Sequence, residues 1–201
     1  LVRANQVTGK IDPADYLKAL QQRQQQENIR SGQALDLDWN LLGPSNLGGR
    51  TRAILIDNRD ASGNTMFAGS VMGGIFKSDN GGGKWYKING ELGNMNVTSI
   101  TQAGNGDIYV GTGEAFGVED YTILGEWGYT SGFMGQGIFK STDGTNFSLL
   151  QSTKPSLNGN NELEWGYVNE VAAHPTNGAL YAATNTGLKF SGDGGNTWQL
   201  A

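Results

Sequence analysis

The chain of 201 residues contains no cysteine, which excludes disulfide frameworks, thiolate metal sites and cysteine nucleophiles. It has a single histidine, His174, in a Pro-Thr-Asn-Gly context that is typical of a surface turn and not of a catalytic base. No apolar run approaches the roughly 20 residues of a membrane-spanning helix. The sequence therefore predicts a protein without a membrane span, and it offers few residue types for metal binding.

Positive charge is also sparse. The chain carries 14 Lys and Arg against 19 Asp and Glu, which gives a net charge of −5, and its basic residues form no cluster. Binding to a phosphate backbone depends on such clusters. Nucleic acid is therefore not expected as a partner.

Glycine, by contrast, is abundant, with 32 residues against only 4 prolines. Glycine supplies the positive φ angles of tight hairpins and weakens helices. The composition thus favours an all-β protein with many short turns.

One sequence pattern occurs three times, at residues 73–85, 135–147 and 186–198. Each copy is a short apolar strand, a turn rich in Gly, Asp and Asn, and an aromatic residue that begins the next strand, as in a β-hairpin. The serines of the copies lie 63 and 50 residues apart, close to the period of propeller blades. The chain is therefore predicted to repeat one blade-like unit.

The positions that recur in the three copies are predicted to be structural, because a short polar side chain bonds the backbone N–H groups of such a turn. Asp143 or Asp193 as a calcium ligand or catalytic acid is the alternative, and the turn-bonding interpretation is favoured. No catalytic residue, metal site or cofactor is predicted. The structural positions are Ser78, Asn80, Trp85, Ser141, Asp143, Phe147, Ser191, Asp193, Gly195 and Trp198.

The third copy, Ser191-x-Asp193-x-Gly195-x-Thr197-Trp198, resembles the Asp-box (BNR) repeat of sialidases, sortilin and related β-propellers. The first copy has Asn80 in place of the acid, and the second is one residue short and ends in Phe147. The resemblance implies a β-propeller in which these turns lie on the face away from any active site.

Strand-like segments around the repeats predict three four-stranded blades, at about residues 50–91, 97–153 and 167–201. Residues 38–43 imitate an outer strand without a preceding turn, so they are expected to complete a last blade lying beyond Ala201. Propellers typically need 4–8 blades, so the ring is incomplete and the chain is expected to be part of a longer protein.

Residues 1–37 are predicted to form a leader. Asp12, Pro13 and Asp15 have the pattern of a helix start, and the helix should end near Gly32. It is either a docking helix or part of a partly disordered leader, and its many glutamines favour the leader.

Ligand sites on propellers are expected on the face formed by the loops between second and third strands and by the links between blades. Two such segments, 114–135 and 154–166, are long and combine aromatic residues with carboxylates, which suits sugar rings. Alternatively, the aromatics pack the insertion against the blades and the arginines line the central channel. The candidate ligand-binding residues are Arg50, Arg52, Glu114, Glu126, Trp127, Tyr129, Glu164 and Trp165.

The segment from Gly48 to Trp85 also looks like the opening blade of glycoside hydrolase family 74 and of sortilin-type propellers. Those hydrolases have an aspartate at the position that Val71 holds here, and valine cannot transfer a proton. The sialidase Arg-Ile-Pro motif is absent too. Residues 3–13 and 39–53 are similar to the start of exported Bacteroidota propeller proteins, many of them cargo of the type IX secretion system.

These observations predict an exported protein, secreted or at the cell surface, whose signal peptide has been removed. We expect it to bind a glycan or a surface protein through its loop face, and as secretion cargo to meet an outer-membrane translocon. One alternative is a glycoside hydrolase whose catalytic acids lie partly outside this chain, which leaves enzymatic activity open. Another is a structural spacer module.

Overall fold

The computed structural model describes residues 13–30, 50–88, 95–114, 133–159 and 163–201. Apart from one helix near the N-terminus, these residues form β-strands and turns. Most of the strands belong to three four-stranded antiparallel sheets, each of which has its strands in chain order. The architecture is the predicted one, an all-β protein built from successive four-stranded units.

Sheet 1 contains β1 (Thr51–Ile56), β2 (Met66–Ser70), β3 (Gly74–Ser78) and β4 (Tyr86–Ile88). Sheet 2 contains β5 (Val97–Gln102), β6 (Ile108–Thr112), β7 (Ile138–Ser141) and β8 (Ser148–Leu149). Sheet 3 contains β11 (Val168–Ala173), β12 (Leu180–Thr184), β13 (Gly187–Ser191) and β14 (Gln199–Leu200).

The first strand of each sheet has an irregular start. Register shifts fall between Thr51 and Ala53 in β1, between Val97 and Ser99 in β5, and between Val168 and Glu170 in β11. A bulge increases the local bend and twist of a strand. The three sheets are thus equivalent units that repeat even this local distortion.

The three first strands lie side by side, because β5 contacts both β1 and β11. One apolar core fills the space between sheets 1 and 2, with Phe67 and Ile75 packed against Val97 and Val110. A second core lies between sheets 2 and 3, where Tyr109 and Ile138 meet Val171. Sheets that pack face to face around adjoining first strands form the radial arrangement of a propeller.

The outward faces of sheets 1 and 3 carry exposed apolar side chains. On sheet 1, Ile54 is 65% exposed and Ile56 is 56% exposed, while their neighbour Leu55 packs into the core. On sheet 3, Tyr181 is exposed and its ring lies 5.1 Å from that of Phe190. Faces of this composition are normally covered, so the three sheets form an incomplete ring, as the sequence predicts.

The helix α1 (Pro13–Arg30) begins at the proline that the sequence marks as the first helical position. It carries Asp15 in its first turn, where an acidic side chain is favourable. The helix lies next to β9 (Ser156–Leu157). The other leader residues and the predicted strand at 38–43 lie outside the described residues.

The link between sheets 2 and 3 has structure that the sequence did not predict. A short 3-10 helix, Gln151–Thr153, follows sheet 2, and β9 then pairs with β10 (Leu163–Glu164) as a two-stranded ladder. This small hairpin lies directly before the segment that enters sheet 3.

Candidate functional site

The antiparallel order places the connections at two opposite ends of the sheets. The β2–β3, β6–β7 and β12–β13 connections leave at one end together with the links between sheets, and we call this end the loop face. The three repeat turns, between the third and fourth strands of each sheet, lie at the other end, the turn face. The candidate ligand-binding residues that the structure describes lie in segments at the loop face: Arg50, Arg52, Glu114, Glu164 and Trp165.

In the third repeat turn, side chains satisfy the backbone of the hairpin. Ser191 Oγ accepts a hydrogen bond from the Gly195 amide at 2.8 Å and donates to Asp193 Oδ1 at 2.8 Å. Asp193 Oδ1 also accepts from the amides of Asn196 and Thr197 at 3.0 and 2.9 Å. Trp198 closes the turn, with Nε1 donating to the Gly195 carbonyl at 3.2 Å.

The other two turns use the same bonds with different residues. Asp143 Oδ1 accepts from the Thr145 and Asn146 amides at 2.8 and 2.7 Å. In the first turn, Asn80 Oδ1 accepts from the Lys84 amide at 2.8 Å and from Ser78 Oγ at 2.9 Å. An amide oxygen therefore replaces a carboxylate at this position, so the turn needs an acceptor and not a charge.

Hydrogen bonds also set the acidity of these aspartates. Bonds from the Thr197 hydroxyl and amide, with one from Ser191, lower the pKa of Asp193 to about 2. The amides of Asn146 and Thr145 lower the pKa of Asp143. A carboxylate that its own turn keeps ionised, and whose oxygens already accept several hydrogen bonds, is poorly placed to donate a proton.

The loop face contains a charged group that joins sheets 1 and 2, here called the arginine–glutamate cluster: Arg50, Arg52 and Glu114. Glu114 follows β6 and its side chain is only 1% exposed. Arg52 Nη1 donates to Glu114 Oε1 at 2.7 Å, and the Arg50 guanidinium pairs with Oε2. The Arg50 and Arg52 side chains remain 54% and 35% exposed. Three of the predicted ligand-binding residues therefore lie together.

Glu114 is also the root of the long insertion in sheet 2. Its amide donates to the Phe133 carbonyl at 2.8 Å, and the Phe133 amide donates back at 2.8 Å. This pair closes the segment 115–132 at its base. The predicted residues Glu126, Trp127 and Tyr129 lie within that segment, outside the described residues.

The base of the insertion is held by close backbone packing. The Gly135 amide donates to the Gly166 carbonyl at 2.8 Å. Gly113 has φ +94°, and a Cβ there would lie 2.2 Å from the Gly166 carbonyl oxygen. Only glycine fits between these two backbone segments, so the root of the insertion is fixed relative to sheet 3 as well.

The remaining two predicted residues have other surroundings. Glu164 Oε1 accepts from Lys189 Nζ at 3.1 Å. Trp165 is 6% exposed, has φ +62°, and packs against Trp198 with ring centroids 5.0 Å apart. The ring of Trp165 belongs to the core between sheets 2 and 3. Its role as a ligand-binding residue stays a prediction.

The turn face holds a cluster that the sequence reasoning missed. Asp57 accepts from Arg59 Nε at 2.8 Å and Nη2 at 2.7 Å, and from Gln102 Nε2 at 2.8 Å. Arg59 Nη1 donates to the Thr142 carbonyl in the second repeat turn at 2.9 Å. Burial alone would raise the pKa of Asp57, but the bonds from Arg59 and Gln102 lower it to about 2.

Two further expectations concern isolated residues. His174 is exposed, and its Nδ1 accepts from the Thr176 amide at 3.3 Å, as expected of a turn residue. Val71 is buried at 1% exposure, on the loop face between β2 and β3. An apolar, buried side chain here provides no proton donor.

Two features are absent from the part of the chain that the structure describes. No group of three or more His, Cys, Asp or Glu side chains is arranged there to hold an ion. None of its helices is long and apolar enough to cross a bilayer.

No protein-family model matches the sequence, and no protein of curated function matches it. Among solved structures, an ancestral GH74 enzyme is similar to this chain. The alignment covers 76% of this chain and 18% of the GH74 enzyme, at 23% sequence identity and a TM-score of 0.53. The GH74 xyloglucanase from Xanthomonas campestris aligns with 73% of this chain and 20% of its own, at 17% identity and a TM-score of 0.51. YCF48 from Cyanidioschyzon merolae aligns with 74% of this chain and 36% of its own, at 16% identity and a TM-score of 0.48.

The chain thus spans about a fifth of the length of the two GH74 proteins. At such identities a structural likeness concerns the fold and not the activity. The two GH74 alignments, with TM-scores of 0.53 and 0.51, agree with this chain in overall fold. The chain has the fold of a β-propeller made of four-stranded sheets, three of which are described.

Proposed function

We propose that this chain is part of a recognition propeller that binds a glycan or a protein through its loop face. The observation that carries the proposal is the arginine–glutamate cluster at the root of the insertion 115–132. A buried carboxylate and two partly exposed guanidinium groups lie where the segment 115–132 leaves and rejoins the described sheet. Binding residues are often found on such loops, held by a stable sheet.

The composition of the insertion favours a glycan as the ligand. The segment includes Tyr121, Trp127 and Tyr129 with the acidic residues Glu119 and Glu126. Aromatic rings stack on the C–H faces of sugars, and carboxylates accept hydrogen bonds from hydroxyl groups. A protein partner would use the same face and is the alternative outcome of the test below.

We further propose that the protein is exported, secreted or at the cell surface, as cargo of a type IX secretion translocon. The support is the similarity of residues 3–13 and 39–53 to exported Bacteroidota propeller proteins. Fractionation of cells expressing the native gene, with and without the translocon, tests it. Retention of the protein in the cytoplasm of both strains would contradict export.

A glycan array of neutral and acidic polysaccharides, probed with the purified chain, tests the recognition proposal. The decisive variant replaces residues 115–132 with a short Gly-Ser linker between Glu114 and Phe133. We expect it to lose at least about tenfold in affinity, roughly 1.4 kcal/mol, because the aromatic side chains are removed. His174→Ala, on the turn face, is the control and should bind like the parent protein.

Other outcomes point to the alternatives. Release of reducing sugars from an array polysaccharide would establish the hydrolase alternative. A folded chain that binds neither glycans nor proteins would support a spacer module. Unchanged affinity in the linker variant would show that the insertion is not the binding element.

A further inference from the structure

We propose that the pair Asn177-Gly178 is a site of spontaneous deamidation, which introduces isoaspartate into the turn between β11 and β12. The inference is independent of the proposed recognition function. It is carried by the difference between this turn and two other turns that contain the same dipeptide.

Three turns on the turn face contain the dipeptide Asn-Gly. Asn80-Gly81 lies in the first repeat turn, Asn105-Gly106 lies between β5 and β6, and Asn177-Gly178 lies between β11 and β12. Because glycine has no side chain to shield its amide, the glycine nitrogen can reach the side-chain carbonyl of the preceding asparagine. The local structure of each turn then decides whether this reaction occurs.

The turns at Asn105 and Asn177 start from the same arrangement of the asparagine side chain. Asn105 Oδ1 accepts from the Asp107 amide at 3.1 Å, and Asn177 Oδ1 accepts from the Ala179 amide at 3.0 Å. Both are Asx turns, and both asparagines are exposed. The two turns therefore differ in the glycine that follows and not in the asparagine.

Gly106 is held by its neighbours. Its amide donates to the Ala103 carbonyl at 2.9 Å, and its carbonyl accepts from Gln102 Nε2 at 3.1 Å. The residue is buried, and a Cβ there would lie 2.9 Å from the side chain of Arg59. The Gly106 nitrogen cannot turn towards Asn105 without breaking these contacts, so this pair is protected.

The pair in the first repeat turn is protected in a similar way. The Gly81 amide donates to the Asn64 carbonyl at 2.9 Å. Asn80 Oδ1 accepts from Ser78 Oγ at 2.9 Å and from the Lys84 amide at 2.8 Å. Both the attacking nitrogen and the side chain that it would attack are thus fixed.

Gly178, by contrast, has open surroundings. Its amide donates to no group in the part of the chain that the structure describes. A Cβ on Gly178, which has φ +71°, would meet nothing within 4 Å. The nitrogen next to Asn177 can therefore reorient at little cost, as is typical of an exposed turn.

The reaction consumes one water molecule and releases one ammonia. The Gly178 amide loses its proton to solvent base, and its nitrogen attacks Cγ of Asn177. The new C–N bond closes a succinimide ring, while the Cγ–Nδ2 bond breaks and the leaving group takes up a proton as ammonia. Water then opens the ring at one of its two carbonyl carbons, which gives aspartate or isoaspartate.

The product affects the interface between sheets 2 and 3. A Cβ on Gly104 would lie 1.8 Å from the Pro175 carbonyl oxygen, so the turn that contains Asn177 packs directly against sheet 2. Isoaspartate adds a methylene group to the backbone two residues after this contact, and it adds a negative charge. We expect this interface to loosen as the protein ages.

The test incubates the purified chain at mildly alkaline pH and locates each modified asparagine by peptide mapping with tandem mass spectrometry. We expect Asn177 to react at least about tenfold faster than Asn105 and Asn80. In urea-unfolded protein the three rates should become similar, because the contacts that protect two of the pairs are lost. Equal rates in the folded protein, or the same inequality in the unfolded chain, would overturn the assignment.

The consequence for stability is tested with Asn177→Gln, since ring closure from the longer glutamine side chain is much slower. Urea midpoints of fresh and aged samples are compared: the parent should lose stability in proportion to its isoaspartate content, and Asn177→Gln should not. Asn105→Gln is the matched control and should age like the parent. If Asn177→Gln does not fold, the fresh and aged parent samples decide. An aged parent with the midpoint of the fresh protein would overturn the loosening of the interface.

Discussion

The two interfaces between neighbouring sheets are built by different means. The first seam, between sheets 1 and 2, has arginine–carboxylate groups at both ends: Arg52 with Glu114 on the loop face, and Arg59 with Asp57 on the turn face. The second seam, between sheets 2 and 3, is joined in its centre by hydroxyl groups of β5. Ser99 Oγ accepts from the Val171 amide at 2.9 Å.

The same contrast appears where each repeat turn meets the preceding sheet. In the first seam, the Arg59 guanidinium donates to the carbonyl of Thr142. In the second seam, neutral hydroxyls do this: Ser152 Oγ donates to the Gly195 carbonyl, and the Tyr109 hydroxyl donates to the Gly194 carbonyl. An equivalent turn is therefore held by a charged donor in one seam and by neutral donors in the other.

The two seams also differ in which atoms of the neighbouring sheet lie closest to their glycines. In the second seam a Cβ at Gly104 would lie 1.8 Å from the Pro175 carbonyl oxygen. In the first seam the close approaches are to side chains: a Cβ at Gly106 would lie 2.9 Å from Arg59, and one at Gly69 would lie 2.3 Å from Val97. The comparison teaches that neighbouring units of one fold can be joined at the turn face either by charged side chains or by close backbone contact. The first seam should respond to pH, and the second to volume added at the backbone contact.

The largest expected effect is Gly104→Ala in the second seam. The added methyl group collides with a backbone carbonyl that cannot rotate away, so we expect a loss of about 3 kcal/mol or more in the free energy of unfolding, or a failure to fold. Urea denaturation followed by tryptophan fluorescence measures it.

Gly159→Ala is the control for this substitution, because a Cβ at Gly159 meets nothing within 4 Å. It should change stability by less than about 0.5 kcal/mol. Equal effects of the two substitutions would break the claim that the second seam depends on close packing.

The next effect is Asp57→Ala in the first seam, with an expected cost of roughly 2 kcal/mol at pH 7, because Arg59 and Gln102 lose a buried acceptor. The pKa of Asp57 is lowered from 3.8 to about 2 in the folded protein. Its contribution is thus complete above about pH 4 and is lost as the pH falls towards 2. Urea midpoints measured between pH 7 and pH 2.5 report this difference.

We expect the urea midpoints of the parent protein and of Asp57→Ala to become similar at about pH 2.5. Glu170→Ala, which removes an exposed carboxylate of β11, should stay within about 0.5 kcal/mol of the parent at pH 7. A constant gap between parent and Asp57→Ala at every pH would argue against a charged first seam.

A smaller effect is expected for Ser191→Ala, which leaves the Gly195 amide without its acceptor in the turn that the second seam holds. The cost should be about 1–2 kcal/mol in thermal or urea unfolding. Asp193→Asn should cost less, since Asn80 already fills the equivalent position in the first turn. Chelation with EDTA should leave the melting temperature unchanged, because amides and a hydroxyl of the turn already occupy both oxygens of the Asp193 carboxylate; a lower melting temperature would contradict this.

The smallest effect is Tyr109→Phe. The hydroxyl donates to the Gly194 carbonyl over a long 3.4 Å, while the ring stays packed in the second core. We expect a loss of about 0.5 kcal/mol, measured by urea denaturation. A loss above about 2 kcal/mol would mean that polar bonds, and not packing, dominate the second seam.

Much of the fold was predictable from the sequence because it depends on local patterns. Short segments rich in apolar residues mark β1 and β11, and the repeated turns mark the ends of β3, β7 and β13. The β9–β10 ladder was not predicted: Asn158-Gly159 between the strands is a turn signal, but each strand has only two residues and shows no strand pattern of its own.

The candidate site was predictable only in part. Arg50, Arg52 and Glu114 stood out as charges at the ends of strands, and the strand order brings them together. In the sequence, Asp57 and Arg59 look like ordinary turn residues. Their cluster was missed because Gln102, which donates to Asp57, is 45 residues away. The burial of Trp165 depends on its contact with Trp198 in another sheet segment, which no local pattern reveals.

The paired base of the insertion has a consequence for how such proteins diversify. Since Glu114 and Phe133 close the segment on themselves, changes in its length or sequence need not disturb the pairing of β6 with β7. The segment can therefore be exchanged for another without altering the sheets that carry it. The same boundary makes it a suitable place to transplant designed peptides or randomised libraries.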